Sequence, residues 1–227
     1  MNLSAHFIPP LENGDRLTRS EFERRYEAMP QVRKAELVEG IVYMASPLRF
    51  ESHGKPHGLI MGWLATYYAA TPNIQFGDNV TVYLDEDNEC QPDAVLFLPS
   101  TVGGKATVTE DDYLQGAPEL IVEIAASTAS YDFHIKRCVY ERHGIQEYIV
   151  WRVYDKQIDW FRLQEERYVK VPPDEQGLIS SQVFPGLILS VSALLAGEYA
   201  QVLAKLQKSL QSSEHQNFVE RLQEKAK

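Results

Sequence analysis

The run LIVEIAA at residues 120–126 constrains the fold more than any other stretch of the chain. It is continuously apolar apart from Glu123, the pattern of a strand buried on both faces, so structure must lie above and below it. A helix expected over residues 132–143, closed by Gly144, and a strand over 147–152 follow it. That strand, helix, strand order predicts a parallel pair joined by a right-handed crossover, hence an α/β fold with a mixed sheet. An ionised Glu123 in such a strand gives up most of its hydration and must find a partner.

The rest of the chain supplies the flanking layers. Residues 18–21 have capping-box spacing and open a short helix that Pro30 closes. Residues 35–46 read as two strands around the turn Glu39-Gly40, an N-terminal β-hairpin. The apolar spacing of residues 55–70 predicts a helix that Pro72 ends. Strands are expected over 79–84 and 93–98 on either side of an acidic turn, and a further hairpin over 158–163 and 168–171. From Val191 an apolar stripe marks one long, peripheral C-terminal helix with a polar end. The division expected is a domain over 1–190 and a helical extension over 191–227, whose stripe packs on the core or on a second copy in a homodimer.

Composition narrows the function. A net charge of −10 argues against broad adhesion to a polyanion without excluding a local nucleic-acid site. Cys90 and Cys138, the only cysteines, can build neither a disulfide framework nor a thiolate zinc cage. No stretch has the length of a membrane span and the N-terminus lacks a signal-peptide pattern, so a soluble cytoplasmic protein is expected.

Asp93 heads a second apolar strand, PDAVLFL, so two carboxylates need explaining. A plain ion pair with a lysine or arginine would satisfy either one. If the strands are neighbours, both side chains converge and can ligate a hard cation such as Mg2+, which polarises phosphodiesters and activates water. Lys136, four residues after Asp132 on the following helix, can send its ammonium to the same end and stabilise phosphate charge. His57 is a candidate cleft residue. His53 and His57 have the spacing of a zinc protease pair, but no adjacent glutamate supports that chemistry. The acidic turn at 85–89 lacks the glycine and closing glutamate of a calcium loop.

The ordered motifs ELVEG, QPDAVLF, GAPELIVEIAAST and YDFHIKRCVYERHGIQEYIVW resemble the Uma2 family of restriction-endonuclease-like proteins, also labelled DUF820, across roughly residues 35–190. The resemblance implies a PD-(D/E)XK core, a central mixed β-sheet flanked by helices that hydrolyses phosphodiester bonds in DNA with Mg2+, or Mn2+ in its place. It makes Asp93 the motif aspartate and Glu123 the strand carboxylate. Ala125 stands where the superfamily pattern has lysine, which leaves Lys136 as a migrated lysine. It also suggests Gln91 as a residue orienting water or metal ligands, and Glu39 as an upstream acidic residue. The rival expectation, favoured by Ala125 and the acidic total, is a catalytically inactive nuclease-fold module that binds DNA or protein.

Overall fold

The computed structural model describes residues 7–45, 47–126 and 131–226. Helix α1 (Arg19–Glu27) precedes the hairpin β1 (Ala35–Val38) and β2 (Ile41–Met44), and a π-helical turn, Phe50–Gly54, runs into α2 (Lys55–Ala70). Strands β3 (Gln75–Asp78), β4 (Val82–Asp85), β5 (Asn88–Cys90), β6 (Ala94–Phe97), β7 (Thr107–Val108), β8 (Leu114–Gln115) and β9 (Leu120–Ala125) follow. After a π-helical turn, Tyr131–Lys136, come α3 (Arg137–Arg142), β10 (Glu147–Arg152), β11 (Gln157–Gln164) and β12 (Arg167–Lys170). The chain ends with the pair β13 (Leu178–Ser180) and β14 (Ile188–Ser190), then α4 (Val191–Leu195), α5 (Tyr199–Ser209) and α6 (Ser213–Lys225).

The central mixed sheet has the order β12-β11-β10-β9-β6-β3. β9 and β10 run parallel, with Glu123 opposite Val150, and the remaining pairs are antiparallel. A second six-stranded sheet, β2-β1-β5-β4-β8-β7, is an addition to the single sheet expected. Strand periodicity sorts the central sheet into two faces. Leu120, Val122 and Ile124 pack with Trp63 and Tyr67 of α2. Ile121 and Ala125 pack with Val139 and Tyr140 of α3 and with Val38, Val82 and Cys90 of the second sheet. Glu123 shares their parity, so it points between the central sheet, α3 and the second sheet.

Three expectations change. The N-terminal helix forms without the capping box: the Thr18 hydroxyl meets the Ser20 hydroxyl at 3.2 Å instead of capping, and the Glu21 carboxylate is engaged by Arg24 at 2.7 Å and Arg25 at 2.6 Å. Strand β3 went unrecognised because QFGD shows little apolar alternation. The segment from Val191 is three helices rather than one long helix, broken at Gly197, whose φ of 77° is left-handed, and restarted where Ser212 accepts the His215 N–H. These helices are not peripheral: Val202, Leu206, Phe218 and Leu222 belong to the same buried cluster as Trp63 and Trp160. Tyr199 donates to the Leu59 carbonyl of α2 at 2.7 Å.

Leu206 is fully buried in that cluster. Leu206→Ala is expected to lower unfolding free energy by about 2–5 kcal/mol in urea titrations. A change below ~0.5 kcal/mol, the range of surface substitutions, would mark these helices as peripheral after all.

Candidate active site

A cleft of about 680 Å³ opens between the β1–β2 hairpin, the turn before α2 and the end of β9, and Lys34, Glu36, His53, Asp93, Glu123 and Lys136 line it. The two carboxylates singled out in the sequence therefore face one cavity. The main chain links them directly: the Ile124 N–H, next to Glu123, donates to Asp93 Oδ2 at 2.7 Å. Asp93 Oδ1 lies 3.3 Å from Lys34 Nζ and 3.2 Å from His53 Nε2. Burial alone would raise the Asp93 pKa. The hydrogen bond from His53, the Lys34 charge and the Ile124 N–H outweigh it and hold this carboxyl well below the usual range.

Glu123 stands in the opposite condition. Its Oε1 accepts from Lys136 Nζ at 2.8 Å and from the Tyr140 hydroxyl at 3.0 Å. The same ammonium lies 2.7 Å from Glu36 Oε1 and 3.6 Å from Asp132 Oδ1. Lys136 remains protonated: burial works against its charge, but Glu123, Glu36 and Asp132 overcome that and raise its pKa well above the ordinary value. One ammonium is too little charge for all the carboxylates. Burial, only partly offset by Lys136 and reinforced by Asp132, Asp93 and Glu36, pushes the Glu123 pKa up, the opposite direction to Asp93.

The accessory residues fall differently from the sequence reading. Glu39 is not in the cleft. It occupies the hairpin turn with φ 55°, beside Gly40 at φ 70°, and pairs with Arg142. The upstream carboxylate is Glu36, two positions before Val38 and of the same strand parity. The signal was available, since the turn had already claimed Glu39 and left Glu36 in the strand. Gln91 reaches Glu36 rather than an open coordination position: its backbone N–H donates to Glu36 Oε1 at 2.7 Å and its Nε2 to the Asn79 carbonyl at 2.9 Å. His57 supports Asp93 from behind, with Nε2 3.0 Å from the Asp93 carbonyl and 3.0 Å from Asp78 Oδ1. Of the two histidines, His53 is the one that faces the cleft.

The oxygen donors of Asp93 and Glu123 fit a hard divalent cation. Among the described residues no group of three or more His, Cys, Asp or Glu is arranged as a metal cage. Among the described residues no helix is long and apolar enough to cross a membrane.

The Uma2 family model, described as "Putative restriction endonuclease", matches residues 19–192. No protein of curated function matches the sequence. Among solved structures, the chain is similar to "a putative nuclease belonging to DUF820" from Anabaena variabilis, with a TM-score of 0.60 and 17% identity, covering 79% of this chain and 98% of that one. At that identity the likeness concerns the fold.

The charge balance has a measurable sign. The Glu123 pKa is raised above its ordinary 4.5 in the folded chain, so folding favours the protonated carboxyl in the pH range just above that value. Its contribution to stability is full below the ordinary value and is lost as pH rises through the raised one. Lys136→Met leaves the surrounding carboxylates uncompensated and is expected to cost about 3–5 kcal/mol, with a steeper loss between mildly acidic and alkaline pH. Urea unfolding at several pH values measures it; an unchanged, pH-flat stability would contradict this charge balance.

Proposed function

The chain belongs to the Uma2 family, and on that premise we propose that the cleft is the active site of a divalent-metal-dependent endonuclease that hydrolyses phosphodiester bonds in DNA. The observation carrying this reading is the convergence of Asp93 and Glu123 on one cavity, with Lys136 beside Glu123. Asp93 and Glu123 would hold Mg2+, or Mn2+ in its place. When bound, the cation supplies Lewis acidity at the phosphate and a more acidic water.

The chain's own residues prepare that site. The Ile124 N–H fixes one Asp93 oxygen and leaves the other toward Lys34 and His53. The Tyr140 hydroxyl and Lys136 fix one Glu123 oxygen. Cation binding would require Glu123 to give up its proton, which couples metal affinity to pH. Gln91 and His57 act through Glu36 and the Asp93 backbone, as positioning residues. Burial of the walls strengthens each of these interactions relative to water.

The alanine at position 125, where the superfamily pattern has lysine, favours a second reading, an inactive nuclease-fold module that binds DNA or protein. Plasmid cleavage separates the two. With Mg2+ or Mn2+, wild-type protein is expected to nick plasmid DNA and Asp93→Ala to lose activity by on the order of 100-fold or more. Equal nicking by both proteins would place the activity elsewhere, and DNA binding without cleavage by the wild type would favour the inactive module.

A further inference from the structure

A nuclease without the motif lysine still needs a cation where the phosphate arrives, and the two lysines of the cleft are not equivalent. The Lys136 side chain is only 2% exposed and is enclosed by Glu36, Glu123 and Asp132 at 2.7, 2.8 and 3.6 Å. To meet a ligand it would have to abandon buried carboxylates, which are costly to strand. Ala125 is itself fully buried in the core beneath α3 and presents nothing to the cavity.

Lys34 has the complementary properties. It lines the same cleft, its side chain is 21% exposed, and its Nζ lies 3.3 Å from Asp93 Oδ1. It is also held in place. Nζ is 3.4 Å from Asn79 Oδ1, the Asn79 N–H donates to the Asp93 carbonyl at 3.3 Å, and Gln91 Nε2 donates to the Asn79 carbonyl at 2.9 Å. The ammonium is therefore fixed on its protein side and open on its cleft side. A phosphate brought to Asp93 by a bound cation would find it adjacent, and the partly exposed ammonium can meet it while staying beside Asp93.

We propose that Lys34 is the ammonium that contacts the substrate phosphate, and that Lys136 is a positioning residue that holds Glu123. The ligand's identity rests on the nuclease reading; the difference between the two lysines does not. Lys34 comes from the segment before β1, outside both the strand and the helix in which a catalytic lysine was sought.

The test uses the full-length protein with a short labelled DNA duplex and its single strand. Binding is measured across a KCl series in EDTA, and cleavage in Mg2+. Lys34→Gln is expected to reduce the slope of log affinity against log salt by about one. It should also lower kcat/KM by on the order of 100-fold, through weaker binding as well as a lower kcat. Lys34→Arg should keep the slope, and Lys136→Met should keep it too while lowering thermal stability. Added propylamine should restore more of the kcat lost in Lys34→Ala than of that lost in Lys136→Ala, whose ammonium sits among three buried carboxylates. Unchanged slope and kcat in Lys34→Gln would overturn the assignment and leave the nuclease reading standing. If the wild type neither binds nor cuts either DNA, both fall. If it binds without cutting, the salt slope alone decides for or against Lys34.

Discussion

The Lys136 ammonium, buried among Glu36, Glu123 and Asp132, is the interaction on which the rest of the cleft depends. Carboxylates are rarely taken out of water without a counter-charge, and here one lysine serves several. The shortfall appears as the raised pKa of Glu123, and the surroundings follow from limiting it. Tyr140 donates to Glu123, the Gln91 N–H donates to Glu36, and Asp93 is stabilised separately by Ile124, His53 and Lys34. The cleft thus has two electrostatic halves, one with Asp93 firmly ionised and one around Glu123 poised to lose a proton. Under the proposed function, an arriving dication would find one ligand ready and would draw the other into its charged form.

The layers that make this possible were partly written in the sequence. The apolar run around Glu123 fixed a doubly covered strand, and the following helix and strand gave the parallel β9–β10 pair. Alternation then dictated that Glu123 and Ala125 face α3 while Val122 and Ile124 face α2. What the sequence did not disclose were contacts set by long-range pairing. Glu36 joins the cleft because β1 belongs to a second sheet packed on the same face of the central one. His53, which meets Asp93, lies in the π-helical turn before α2, a local geometry that apolar spacing does not reveal. Lys34 lies in a segment with no periodicity to read.

Backbone geometry overrides motif position. Glu39 matches the upstream acidic motif, yet a residue with positive φ in a two-residue hairpin turn has its backbone committed to the turn, and its side chain goes to Arg142. The C-terminal stripe had the right period for a helix but could not reveal that Gly197 divides it, letting α5 and α6 fold back over α2. Covering that side of the central sheet is what lets β9 be apolar on its α2 face and reserve its single charge for the other.

The central claim is that Asp93 and Glu123 together form a divalent-cation site. Mn2+ binding followed by electron paramagnetic resonance tests it without depending on turnover. Wild-type protein should take up about one tightly bound ion, with release of a proton near neutral pH, and Asp93→Asn and Glu123→Gln should each abolish that binding. Mn2+ uptake that is the same in the wild type and in Glu123→Gln would contradict the account.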